Sequence, residues 1–423
     1  LWVAPVLVAI AAWQIWDAIE AGRVEREIAL AFPDGLVEPQ GSWDEENAAR
    51  YYVAASSAVI WPSDSRVQSS GVTWGVREAL LTGDTRAVAG SDQAFALAEQ
   101  NQLSLDLIER ARGLPFGAFR PGTEFNYRFS GLTEVARLGA FKTLDALRRG
   151  DAVAAGTSLV ARVRLLRAFE AENGLFGAAR MAVELQGIAI DAALLLGRTR
   201  QPDAVLNDLS RSLDDLAGGD VDRVIVGAGR GRLDTLRAII DGRPWSIGRL
   251  LARPVIRHHL AANMKVTADA RKAGRLPWPD RIAAMHAISE GRSSLPELVP
   301  FIGAWRLQPL FRDLVPRVGI GVASARCARL AVAIERHRRA RGAWPERLTD
   351  LDWKGPRDVL VDPFTGRPLQ YRLTSEGYTL YSVGPDARDD GGKIFPQRVN
   401  GRPPGTGPTL DVGVALSVNT ILT

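Results

Sequence analysis

The sequence predicts a mainly α-helical protein: an N-terminal membrane helix, a body built as an irregular stack of α-hairpins, and a small C-terminal α+β head with a β-hairpin. Three observations predict it. Residues 1–16 are apolar except for Gln14. The central sequence repeats apolar residues at helical spacing. Near the end, two alternating runs flank a short glycine-containing link.

A chain of 423 residues suggests two or three hydrophobic cores. With 46% hydrophobic and 24% charged residues it has the composition of a folded protein, which excludes global disorder. The net charge is only +5, and the arginines alternate with acids, so no basic face with interleaved aromatics marks a nucleic-acid partner. The densest basic run, from Arg336 to Arg341, suits a helix C-terminus, where cations complement the macrodipole. The single Cys327 excludes an intrachain disulfide, a paired-thiol redox motif and every multi-thiolate zinc site. Its alanine and leucine neighbours predict buried packing.

The first element, residues 1–20, reads as a membrane anchor. A span needs about 20 apolar residues, and this stretch is slightly short, so further apolar residues upstream are expected. Trp2, Trp13 and Trp16 suit an interfacial belt, and the acids Asp17 and Glu20 that follow agree with export of the C-terminal side. The expected placement is a single pass through a bacterial inner membrane with the bulk of the chain extracytoplasmic. A cleaved signal peptide and an amphipathic surface helix are the competing readings.

Residues 21–320 form the helical body. Its entry, residues 17–31, alternates charged and apolar residues as a stalk would, and Pro33-Asp34-Gly35 ends it. A helix is expected over residues 47–59, punctuated by Trp61-Pro62-Ser63-Asp64, and a loop over residues 113–122. The clearest block comes next. Leu132, Val135, Gly139, Leu144 and Leu147 share one helical face; Leu159, Val163, Leu166 and Phe169 share a second; Met181, Leu185, Ile188, Ala192 and Leu195 share a third. The turn at Arg149-Gly150-Asp151 is similar to that of tetratricopeptide hairpins, although the fixed repeat is missing.

Several motifs carry no chemistry on inspection. The run Val224-Ile225-Val226-Gly227-Ala228-Gly229-Arg230-Gly231 has a dinucleotide-loop flavour, but Arg232 stands where a third glycine belongs and the surroundings are helical. His258 and His259 are adjacent, and His286 and His337 lie apart, so no facing pair suits a metal. Asp214-Asp215 and Glu45-Glu46 are consecutive and read as solvated pairs. No catalytic residue is assigned.

Residues 321–395 form the head. A helix through Cys327, Leu330, Ala331 and Ile334 ends at Gly342, a natural left-handed cap, and Pro345 blocks its continuation. Leu348, Leu351 and the loop Asp362-Pro363-Phe364-Thr365-Gly366-Arg367-Pro368 follow. Then come the runs 369–373 and 378–383, joined by Thr374-Ser375-Glu376-Gly377 as a hairpin. This ordered set, closing on Val383-Gly384-Pro385-Asp386 and Asp389-Asp390-Gly391-Gly392, resembles the globular head of the major pseudopilin of type II secretion systems over residues 322–395. In that family the acidic loop after the last long strand binds calcium, which the resemblance places on Asp386, Asp389 and Asp390; a solvated acidic turn is the alternative. A true pseudopilin joins head and membrane helix through one continuous helix, whereas some 300 residues intervene here. The tail, residues 396–423, is rich in Pro and Gly around Arg402-Pro403-Pro404-Gly405, and its end is expected to add a strand or helix or to fray.

The functional expectation is a noncatalytic, membrane-anchored envelope protein. It would be an accessory or interaction component of a type II secretion or pilus-like system, with protein partners and no nucleic acid. The alternative is an extracytoplasmic, hydrolase-like enzyme whose site is assembled from distant residues. A purely structural membrane protein is the third reading.

Overall fold

The computed structural model describes residues 3–35, 45–61, 70–82, 88–116, 125–171, 174–218, 221–241, 247–290, 308–394 and 411–417. Trp2, Pro62-Ser63-Asp64, most of the expected loop at 113–122 and the Arg402-Pro403-Pro404-Gly405 run lie outside them. The described residues are mainly helical, with one small antiparallel sheet. Two compact units interleave in sequence and cut across the linear division read from it. One is Leu1–Glu38, Asn173–Phe176 and Val221–Val315; the other is Pro39–Glu172, Gly177–Asp220 and Pro316–Thr423.

The first unit centres on α1 (Val3–Ala31), α10 (Val221–Asp241), α11 (Ile247–Gly274) and α12 (Asp280–Glu290). The stalk expectation for residues 17–31 is corrected here: they continue α1 without a break and are a core element. Val24, Ile28, Ala31 and Phe32 are buried with Leu233 and Leu236 of α10 and Leu260, Ala261, Met264 and Ala268 of α11. The i, i+4, i+7 spacing of those α1 residues makes one apolar stripe, which the intervening charges had disguised. The glycine run, whose surroundings read as helical, lies inside α10. A Cβ on Gly229 would meet Thr267 Cγ2 at 2.5 Å, so this glycine sets the close approach of α10 to α11.

In the second unit, α2 (Ala48–Ser57), α3 (Ser70–Thr82), α4 (Ser91–Gln100) and α5 (Gln102–Ala111) pack with α6 (Phe125–Arg149) and α7 (Ala152–Ala171). Asn47 caps α2 by accepting the Ala49 N–H at 2.9 Å. The expected hairpin turn joins α6 to α7: Gly150 adopts φ +72°, and Asp151 Oδ1 accepts the Ala154 N–H at 3.0 Å. The third apolar face falls on α8 (Gly174–Arg198), and α9 (Asp203–Ala217) packs on α7. The long α13 (Gln308–Arg341) supplies Cys327, Leu330, Ala331 and Ile334, all fully buried in the same core. As expected it ends at Gly342, with φ +76°.

The head belongs to this second unit. Strands β1 (Gln370–Thr374) and β2 (Gly377–Ser382) form the expected hairpin, paired from Gln370↔Tyr381 to Thr374↔Gly377 across a two-residue turn. The chain end adds β3 (Val412–Ser417), antiparallel to β2, giving the order β1-β2-β3. Gly413 is required there, since a Cβ would lie 2.1 Å from the Leu380 carbonyl oxygen.

Candidate functional site

Among the charged groups of the described residues, three stand out as candidate sites, and each lies within one unit. In the second unit, α3, α7 and α8 aim a charge cluster into the core. Arg77 Nε and Nη2 donate to the two oxygens of Asp191 at 2.7 and 2.9 Å, and Arg162 Nη1 donates to Asp191 Oδ2 at 2.5 Å. Arg162 also reaches Glu184 at 3.4 Å, and Arg180 donates to Glu184 at 2.6 Å. Arg162 and Asp191 are fully buried. Burial alone would raise the Asp191 carboxyl, but Arg77 and Arg162 outweigh it and hold Asp191 below the ordinary carboxylate range. Glu184 is likewise held low against its burial by Arg180, Arg162 and Arg77. One glycine admits a guanidinium: a Cβ on Gly187 would stand 2.7 Å from Arg77 Nη2. These carboxylates converge, but each is already ion-paired to arginine, so neither is poised as a general acid or base.

The second place is the collar of α1. Asp17, 8% exposed, meets Arg257 at 2.7 Å and Arg253 at 3.8 Å. Glu20, 6% exposed, meets His258 Nδ1 at 2.8 Å, and Arg23 Nη1 lies 3.2 Å from the same nitrogen. His258 therefore works in a structural pair. N-terminal to the collar, the character of α1 changes: Val6, Leu7, Val8, Ile10, Ile15 and Trp16 are between 42% and 68% exposed. This helix is long and apolar enough to cross a membrane, and its most apolar window is 11% buried.

The third place is the acidic loop of the head. Asp386 Oδ1 accepts the Arg388 N–H at 3.2 Å. Asp389 accepts from Arg372 Nη2, Tyr381 Oη and the Gly391 N–H, each at 2.8 Å. Those donors, led by the Gly391 N–H, hold the Asp389 carboxyl below its ordinary range. Asp390 offers its N–H to Asp411, whose other oxygen takes the Gly392 N–H at 2.7 Å. Among the described residues no three Asp, Glu, His or Cys side chains are grouped to hold a metal ion. Calcium wants six to eight oxygens, and Asp389 is engaged by a guanidinium, a phenol and an amide. Calorimetric titration of the intact chain with calcium chloride is accordingly expected to show no micromolar binding; a micromolar isotherm would mean that the ion displaces Arg372.

The remaining sequence readings resolve individually. Asp215 is exposed as expected and pairs with Arg167, whereas Asp214, about a third exposed, accepts from Arg329 Nε at 2.7 Å. Cys327 is buried as expected, and burial followed by the nearby Asp362 charge pushes its thiol up, away from thiolate chemistry. The basic run decorates the last turn of α13, where Arg338 and Arg339 both pair with Glu335. Sequence reasoning missed the Arg77–Asp191–Arg162 cluster. The available signal was a glycine, Gly187, in the middle of α8.

No protein-family model matches the chain, and no curated protein or solved structure is found similar to it.

Proposed function

We propose that this chain is a noncatalytic envelope protein, held in a bacterial inner membrane by α1 with its bulk extracytoplasmic, and an accessory of a type II secretion or pilus-like assembly. One observation carries the membrane part. The apolar residues of α1 before Asp17 are exposed, while the same helix beyond Asp17 is built into a core. A membrane supplies the partner that the exposed half lacks, since a contiguous apolar surface of this kind is costly in water.

The secretion-related part rests on the head. A long helix, α13, leads through Gly342 into the Asp362-Pro363-Phe364 loop and a tight hairpin, in the order the pseudopilin resemblance implies. Assembly partners would be proteins that read this head or the helical body.

The membrane part is tested by expressing the chain in a bacterium with alkaline phosphatase fused to its C-terminus. The expected result is a carbonate-resistant membrane fraction with active phosphatase, and a variant lacking residues 3–16 that leaves the membrane. Recovery of the intact chain in the soluble fraction would sink the anchor, and an inactive fusion in the membrane would reverse its orientation.

A further inference from the structure

The helix α11 runs parallel to α1 and in step with it. Trp13 Nε1 donates to the Leu251 carbonyl at 3.4 Å, Arg257 pairs with Asp17, His258 with Glu20, and Arg271 Nη1 donates to the Ala31 carbonyl at 2.7 Å. These partners are separated by 238 to 240 positions along the chain, so the two helices keep one register over their shared length. Two consequences follow. The amino ends of α1 and α11 point the same way, and the first turns of α11 lie beside the end of the apolar stretch of α1. Leu251 therefore stands level with Trp13.

At that level the surface changes character. Leu251 is 60% exposed beside Trp13 and the exposed Ile15 and Trp16. Further along α11 come the part-exposed Arg253, about half a turn on, and Arg257, nearly two turns on, and then Arg23 on the α1 side. The guanidiniums of Arg253, Arg257 and Arg23 stand about the two carboxylates Asp17 and Glu20. Apolar side chains with tryptophans at one depth and guanidiniums just above them match the two layers of a phospholipid interface: acyl boundary below, phosphates above.

We infer that the amino-terminal turn of α11, at Leu251, is a second membrane contact seated in the headgroup layer of the phospholipid bilayer beside α1. This rests on the anchor reading of α1 and adds to it. The first unit is held against the membrane surface by two parallel helices of unequal depth and does not swing on a single stalk. The His258–Glu20 pair fixes that relative depth, because sliding α11 by one turn along α1, about 5.4 Å, would part His258 from Glu20.

The test places an environment-sensitive fluorophore on the full chain at Leu251→Cys and, in a separate variant, at Lys272→Cys. The native Cys327 is buried and does not compete for the label. Both positions are exposed on the same helix but lie about 30 Å apart along its axis. Each protein is reconstituted into phosphatidylcholine–phosphatidylglycerol vesicles containing headgroup-spin-labelled lipid and recovered by flotation. The expected result is a blue shift and several-fold stronger quenching at 251 than at 272. Vesicle-bound protein with equal, weak quenching at both positions overturns the second contact and leaves the anchor standing. Protein that fails to float overturns the anchor reading, and this inference with it. Unchanged quenching of the 251 label when residues 3–16 are deleted would also overturn it, since the contact depends on α1 bringing α11 to the surface.

Discussion

Replacing Asp191 by alanine is expected to lower the stability of the second unit by about 3–5 kcal/mol, among the largest effects of any single substitution in this chain. Asp191 is completely buried and is the shared acceptor of Arg77 and Arg162. Removing it leaves two guanidiniums in the core with only Glu184 to oppose them, and Glu184 is already engaged by Arg180. The loss of three charge-assisted hydrogen bonds matters less than the cations left behind, because an uncompensated buried charge cannot be rehydrated without opening the helices. A double variant, Asp191→Leu with Arg77→Met, is expected to recover part of the loss. Urea denaturation of the three proteins checks this, and a loss below about 1 kcal/mol for Asp191→Ala would mean that the cluster is wet.

The same cluster sets a pH dependence. Asp191 and Glu184 titrate below the ordinary carboxylate range in the folded protein. Their stabilising contribution is therefore fully present above the unfolded value, about 4, and is lost as pH falls through the depressed folded values. Stability of the parent chain should fall steeply as the pH drops below about 4. Asp191→Ala should show a shallower fall over that window, because one of the two protons taken up on acid unfolding is no longer there to bind.

How much of this was legible in the sequence varies with the range of the interaction. The α6–α7 turn, the cap at Gly342 and the β1–β2 hairpin rest on residues within a few positions of one another, and local chemistry wrote them plainly. Residues 17–31 misled because an amphipathic helix looks the same whether its charged positions face water or face partners on another helix. Asp17 and Glu20 find theirs about 240 residues later. The Arg77–Asp191–Arg162 cluster was hidden for the same reason: an arginine between apolar residues reads as a surface position unless its long-range acceptor is known. Strand β3 lay in a tail for which strand, helix and fraying were all open. Its pairing is decided by β2, whose edge accepts Gly413 at a distance no side chain allows. The calcium expectation came from likeness of pattern. It depended on where Arg372 sits, and the β1–β2 register places Arg372 within reach of Asp389.

Asp362 shows the opposite case, a residue that the sequence flagged without giving its role. It opens the Asp362-Pro363-Phe364 motif and is 1% exposed. Its Oδ1 accepts the Phe364 N–H at 2.8 Å and the Ser382 hydroxyl at 3.0 Å, and its Oδ2 accepts the Val383 N–H at 3.0 Å. One carboxylate thus closes its own loop and ties it to the end of β2, twenty residues on. Asp362→Ala is expected to cost about 2–4 kcal/mol, because it orphans two buried backbone donors as well as a hydroxyl. Asp362→Asn should recover little of this: an amide offers one oxygen where the site has donors on both sides, so its NH2 must face an N–H or the hydroxyl. Ser382→Ala, which removes one donor and leaves the carboxylate its two amides, should cost about 1 kcal/mol. Denaturant unfolding ranks the three variants, and amide exchange at Phe364 and Val383 localises the effect. If Asp362→Asn proves as stable as the parent, the carboxylate is not the tie between loop and strand.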